Sequence, residues 1–194
     1  MSLHVLIATT GRPCLRRMLA SLQLEERDCL TIVFDGCAVL PFELPEFKCK
    51  VNVFFEPQAY GYWGHGVRNK YAKMLERRDF VMHADDDDEY VDGAFQQIRE
   101  RCTDTQMLYF TQMQAPSGLV IPRDADIRYA NVGTPNGVIP FDLNSKGVWE
   151  AMHGGDGMFY EQLIKLSPFV FLDIITYHVK GPGSYKTDLK SDKQ

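Results

Sequence analysis

The sequence predicts an α/β domain built on a mostly parallel sheet, with helices on both faces. Three observations point there. Apolar runs of strand length recur through the first half of the chain, segments of helical period lie between them, and polar residues gather where the runs end.

In chain order, His4–Ala8 is the first strand-like run, and Leu15, Met18, Leu19 and Leu22 fall on one helical face behind it. Leu30–Phe34 and Val51–Phe55 are the second and third strands. Pro41 and Pro45 break any helical pattern between them. Val67, Tyr71 and Met74 share the face of a second helix, Phe80–Ala84 is the fourth strand, and Val91, Ala94, Phe95 and Ile98 mark a third helix. A fifth strand is expected at Met107–Thr111. From Ala115 to Gly147 the chain is rich in Gly, Pro and Asn and reads as loops and short strands. A helix at about Asp156–Leu166, with Phe159, Leu163 and Leu166 in phase, precedes a strand at Phe169–Ile175. The polar stretch Lys186–Gln194 reads as a tail or linker, and the chain as a piece that can belong to a longer protein.

At 194 residues, 45% of them hydrophobic and 24% charged, the chain fits one domain with a real core. A net charge of -5 argues against nucleic acid as a partner, because phosphate backbones want a basic face. No apolar stretch approaches the ~20 residues of a membrane span. Leu3 to Ala8 is too short for a secretory signal. Five scattered cysteines without Cys-x-x-Cys spacing read as reduced thiols in a cytoplasmic compartment.

Four aspartates and a glutamate, Asp85-Asp86-Asp87-Asp88-Glu89, follow the fourth strand directly. Carboxylates this crowded repel one another and raise one another's pKa unless a cation intervenes. A hard divalent cation is the simplest remedy. An acidic loop in water is the plain alternative, and position at a strand end favours the metal. In a parallel sheet ligands bind at the carboxyl ends of strands. Those ends here are Thr9-Thr10-Gly11-Arg12-Pro13, Asp35-Gly36, Glu56-Pro57 and the aspartates. The glycines of Gly61-Tyr62-Trp63-Gly64-His65-Gly66 are out of order for a dinucleotide fingerprint, and no Walker motif, EF-hand or Gly-x-Ser-x-Gly occurs. Arg68 and Asn69 lie in the first turn of the following helix, where a cation answers an anion or a base edge. His153-Gly154-Gly155-Asp156-Gly157 places a carboxylate at a helix start, either as an N-cap or, with three glycines around it, in a site. His178 follows the last strand. His4, His65 and His83 read as structural.

Val81 to Tyr90 resembles the strand-plus-DxD signature of GT-A fold glycosyltransferases of the family 2 type. Val5–Pro13, Val33–Gly36, Gly66–Lys70, Gly155–Phe159 and Tyr177-His178 are similar to that family's other segments in the same order. The short chain resembles most the small chlorella-virus members that build capsid glycans. The resemblance implies a nucleotide-binding half at 1–112 and an acceptor half at 113–185 of one domain, with 186–194 as the tail. It implies a UDP-sugar donor, a glycan acceptor, Mn²⁺ or Mg²⁺ as cofactor, and a cytoplasmic location, that of the host if the protein is viral. Thr9, Thr10, Arg12, Asp35 and Arg68 would hold the nucleotide, Asp85 or Asp86 the ribose, Asp87 and His178 the metal, and Asp156 would be the general base of an inverting transfer. Two departures stand out: Gly155 where a Glu is commoner, and Gly157 where an aromatic is usual. Two other readings stay open, a nucleotidyltransferase that makes the sugar nucleotide and a non-catalytic glycan- or calcium-binding module. In the second, Tyr60, Tyr62 and Trp63 would stack on sugars.

Overall fold

The computed structural model describes residues 1–181; the expected tail at 186–194 and the end of the Gly-Pro-Gly-Ser run lie outside the described residues. Nine strands form one sheet in the order β3-β2-β1-β4-β8-β6-β9-β5, with β7 on the edge of β6. They are β1 Leu3–Thr9, β2 Cys29–Asp35, β3 Lys50–Glu56, β4 Phe80–Asp85, β5 Glu89–Tyr90, β6 Leu108–Gln114, β7 Val120–Ile121, β8 Gly137–Pro140 and β9 Phe169–His178. The first four are parallel neighbours. β8 runs antiparallel to both β4 and β6, and β9 is parallel to β6. The sheet is therefore mostly parallel, as expected, with β8 reversed in its middle.

Five helices cover it: α1 Leu15–Ser21, α2 His65–Tyr71, α3 Ala94–Arg101, α4 Phe141–Asn144 and α5 Gly155–Leu163. Side chains alternate across each strand. Val5 and Ile7 of β1 and Met82 of β4 pack with Leu15, Met18 and Leu19 of α1 and Phe95 and Ile98 of α3. Leu6, Ala8 and Val81 face the other way, onto Val67 and Tyr71 of α2. On that second face of the later strands, Phe110 and Ile139 pack with Trp149 and with Phe159, Tyr160 and Leu163 of α5. No helix joins β2 to β3.

Two helical faces end earlier than their periodicity suggests. α2 stops at Tyr71, leaving Met74 55% exposed in a turn while Leu75 takes the core position. α5 stops at Leu163, and Leu166 lies outside at 59% exposure. The last strand reaches His178, three residues further than expected, because β5 pairs with its end. The division at 112/113 falls inside β6, so the expected halves share one continuous sheet. No helix among the described residues is long and apolar enough to cross a membrane. All five cysteines are free.

His4 and His83 are structural, as expected. His83 is fully buried, its Nε2 2.7 Å from Asn144 Oδ1, and burial pushes its pKa down to about 3, with Arg68 adding to the shift. A histidine held neutral in the fold but free to protonate near pH 6.5 when unfolded gives stability that is complete above that pH and falls as the solution is acidified. Asp85 and Asp88, whose pKa values are raised, pull the opposite way. The histidine's share is thus read as a difference: the stability advantage of wild type over His83→Gln in urea denaturation should shrink by about 1 kcal/mol per pH unit below pH 6. A constant advantage from pH 7.5 to 5 would count against it.

Candidate active site

The parallel register brings the exits of β1, β2, β3 and β4 to one edge, and β6 and β9 deliver Gln114 and His178 to the same edge. Asp85 ends β4. Its Oδ1 accepts a 2.6 Å bond from Arg68 Nη2, while its backbone N–H and carbonyl both meet the Tyr177 hydroxyl. Asp86 is buried and accepts from the Thr9 hydroxyl at 2.5 Å and from Arg12. Arg12 Nη1 also reaches Asp87 Oδ2 at 3.2 Å, and Arg17 donates to the Asp87 carbonyl. Asp88 turns the other way and accepts from the N–H groups of Lys180 and Gly181. Glu89 pairs across the strand with His178, whose Nδ1 is 3.9 Å from Glu89 Oε1, and Lys180 Nζ is 3.1 Å from the same oxygen.

The crowding has the expected electrostatic result. Burial raises the pKa of Asp85, Arg68 opposes the rise, and Asp87 and Asp156 add to it. Burial first, then the charge of Asp85, pushes Asp88 up to about 7, against the hydrogen bonds from Lys180 and Gly181. The sequence marks Asp88 only as one of the acidic run and gives it no separate role, because nothing in four consecutive aspartates says which of them bonds back to the chain.

Arg68 is fully buried. It is the fourth of the seven residues of α2, where the first and last turns overlap, and the anion it answers is the protein's own Asp85. Its other bonds run to the carbonyls of Trp63 and Ala84, and its guanidinium lies 5.1 Å from the centre of the Trp149 ring. Gly64 makes room for this: a Cβ there would sit 2.5 Å from Ala8 Cβ and 3.0 Å from Arg68 Nη1. Asp35 likewise uses both oxygens on the chain, accepting from the N–H groups of Tyr60 and Gly61. Arg68 and Asp35 therefore fix the loop at 60–64 through groups spent on the chain itself. Thr10, at the exit of β1, is exposed. At the exit of β3, Glu56 binds Lys70 and the Tyr71 hydroxyl, which holds its pKa down.

Asp156 comes from the far end of the chain but is close enough to raise the pKa of Asp85. The N-cap of α5 is Gly154, with φ +77°, so Asp156 is not the cap. It sits in the first turn, where Oδ1 accepts from Gly157 N–H. Gly157 has a packing reason: a Cβ there would be 2.8 Å from Tyr129 Cα. Gly155 has another, a Cβ meeting the Glu150 carbonyl at 2.2 Å and His65 at 2.9 Å.

No three His, Cys, Asp or Glu side chains among the described residues form a cage for an ion. A cage is not what Mg²⁺ requires, since it commonly takes one or two carboxylates and completes its shell with water and substrate phosphates. Asp85 and Asp87, whose side chains keep 31% and 16% exposure, fit that kind of shared site. His178 is a strand position further along, facing Glu89.

The structure is similar to that of S. aureus TarS residues 1–349, with a TM-score of 0.70 and 15% identity over 98% of this chain and 64% of that one. It is similar to the same protein in complex with UDP (TM-score 0.64, 15% identity, 96% of this chain and 63% of that one) and in complex with UDP-GlcNAc (0.64, 15%, 92% and 58%). The chain thus spans a little under two thirds of the length of these solved structures. At this identity the likeness shows the fold, which is the one the sequence resemblance implied. No protein-family model and no curated protein matches the sequence.

Removing Arg68 would leave Asp85 uncompensated, and breaking a buried pair costs about 3 kcal/mol. Arg68→Met should lower stability by that order in urea denaturation, and adding Asp85→Asn should recover at least a third of the loss. Strictly additive losses would mean that the two side chains do not depend on each other.

Proposed function

We propose that the protein is a glycosyltransferase that moves a sugar from a UDP-sugar to a hydroxyl of a glycan acceptor with inversion. The observation that carries this is that two acidic groups from separate segments of the chain, the Asp85–Asp88 run at the exit of β4 and Asp156 at the start of α5, lie within electrostatic reach of each other on a fold similar to solved structures in complex with UDP and UDP-GlcNAc. The nucleotide would lie along the β1 and β4 exits, among Thr9, Thr10, Arg12 and the ribose-contacting Asp85 or Asp86, with Asp35 and Arg68 acting through the loop at 60–64 that they hold.

Asp87, with Asp85 beside it and His178 as a further donor, would hold Mn²⁺ or Mg²⁺. When bound, such an ion offsets the negative charge that gathers on a departing diphosphate. The chain's own residues do the rest. Asp156, in the first turn of α5, would take the proton of the acceptor hydroxyl as its oxygen bonds to the anomeric carbon. The bond from that carbon to the phosphate oxygen breaks on the opposite face, and its electron pair leaves with UDP. Arg12, whose side chain is 37% exposed and now rests on Asp86 and Asp87, can turn toward a diphosphate without unfolding anything. Viral origin and a cytoplasmic site of action rest on the sequence resemblance alone.

The nucleotidyltransferase reading is disfavoured by the exit of β1. A triphosphate needs a glycine-rich basic loop there, and Arg12 is the one cation that Thr9–Pro13 supplies. Release of pyrophosphate from a nucleoside triphosphate would restore that reading. A module without turnover would not hydrolyse UDP-GlcNAc slowly in Mn²⁺, as a transferase does.

Asp156→Asn should lower transfer by about 10²–10⁴-fold while UDP-GlcNAc still binds in calorimetry; retained activity would refute the base assignment. Asp87→Ala should lose the part of UDP affinity that depends on Mn²⁺, read as the difference between titrations with and without the ion. If the two titrations of wild type already coincide, the metal has no part in nucleotide binding.

A further inference from the structure

Among the described residues only three other than glycine adopt a positive φ: Tyr62 at 50°, Trp63 at 54° and Ala130 at 63°. Each such position costs on the order of 1–3 kcal/mol and persists only where its surroundings enforce it. Tyr62 and Trp63 are neighbours in the chain and Ala130 is remote from them, yet the two loops meet in space through His153. Trp63 packs edge-on against His153, with ring centroids 5.8 Å apart. Tyr129, next to Ala130, donates its hydroxyl to the His153 carbonyl, and its ring lies so close to Gly154 that a Cβ there would be 2.3 Å away. All the left-handed strain outside glycine is thus stored in the two loops that flank the start of α5.

What these loops present is apolar and open. Trp63 is 65% exposed, Tyr62 56% and Tyr129 45%, and His153 is exposed between them. None of the three aromatics belongs to a core cluster. The plate is nevertheless rigid: Arg68 holds the Trp63 carbonyl, Asp35 holds the N–H groups of Tyr60 and Gly61, and Glu161 accepts from Tyr129 N–H. It also adjoins Asp156. The Trp63 ring is 6.3 Å from that of His65, and His65 is near enough to Asp156 to feel its charge and would touch a Cβ on Gly155.

We infer that Trp63 and Tyr129, joined through His153, form the acceptor subsite, a stacking plate for the apolar C–H face of a pyranose whose hydroxyl points at Asp156. Ring faces carry negative charge density and suit the polarised C–H bonds of a sugar. The acceptor is chosen over the nucleotide because the plate sits at Gly154–Asp156. Where the nucleotide is proposed to lie, Thr9 bonds to Asp86 and Asp86 to Arg12, and none of these is among the groups that hold the plate. The inference rests on the proposed transferase reading.

The chain has two tryptophans, and Trp149 is buried against Phe159, so an indole N–H signal in ¹H–¹⁵N NMR reports Trp63 separately. The intact protein should be titrated with methyl β-glucoside, methyl β-galactoside and methyl β-N-acetylglucosaminide, and separately with UDP. At least one glycoside is expected to shift the Trp63 signal at millimolar concentration and leave that of Trp149 in place. Trp63→Ala should weaken the same glycoside at least 10-fold, followed through the Tyr129 ring signals, and Trp63→Phe should restore part of the loss. Unchanged melting temperatures show that both variants fold. If UDP moves the Trp63 signal and no glycoside does, the plate serves the donor and the inference fails. It fails equally if no ligand moves it. If glycosides bind at Trp63 while UDP binds nowhere, the transferase reading falls and the sugar subsite stands.

Discussion

The buried guanidinium of Arg68 is the contact on which the rest of the site depends. A cation with no exposed surface is tolerated only when its charge and most of its donors are matched. Asp85, two carbonyls and the face of Trp149 supply the match. Three separate pieces are thereby fixed to one planar group: the end of β4, the loop that carries Trp63, and the segment before α5 that carries Trp149. Gly64 is the condition for it, since any side chain there would displace either Ala8 or Arg68.

The remaining charges follow from that arrangement. Among the described residues, Arg12 approaches the acidic run from the loop between β1 and α1, Arg17 from α1, Arg68 from α2 and Lys180 from beyond β9. These four cations face the five carboxylates of residues 85–89, and Asp156 adds a sixth carboxylate to the same field. The described residues thus neutralise the cluster only in part. Burial alone could be satisfied by protonating one or two aspartates, and Asp88, with its pKa pushed up to about 7, is the one nearest to doing so. Asp85 and Asp87 keep an open edge, and there an added cation gains most.

The sequence made much of this frame legible. The five early strands, the missing helix between β2 and β3, and the gathering of polar exits at one edge all follow from local apolar runs and proline placement. The helix ends at Tyr71 and Leu163 did not, because Met74 and Leu166 keep the period after the chain has stopped winding. The reversed β8 was hidden for another reason. Four residues, Gly137–Pro140, carry no periodic signal, and their place between β4 and β6 is decided by partners far away in sequence. Within the site, residue types were informative and directions were not. Asp35 and Arg68 stand out as charges at a strand exit and a helix start, but whether they face a ligand or the chain depends on loops they themselves hold. Tyr129 was invisible, since one aromatic in a loop-rich stretch has no local mark. Its best clue is indirect: the small residues Gly154 and Gly157, whose missing side chains leave room for it.

The two sides of the proposed site differ in kind, and the difference suits the proposed division of tasks. On the β1 and β4 side Asp86 is buried under Thr9 and Arg12, and Arg12 also reaches Asp87. Such a wall recognises a fixed pattern of charge and suits a diphosphate with its counter-ion. On the α5 side Asp156 stands beside exposed rings on strained loops, a surface that reads shape and apolar area more than charge. A hydroxyl nucleophile must arrive neutral and lose its proton only at the moment of attack. It is therefore better held by stacking than by ions, whose field would favour early ionisation or bind water in its place. Arg68 lies under the seam between the two walls. Its bonds to Asp85 on one side and to Trp63 on the other couple the acidic end of β4 to the proposed acceptor plate.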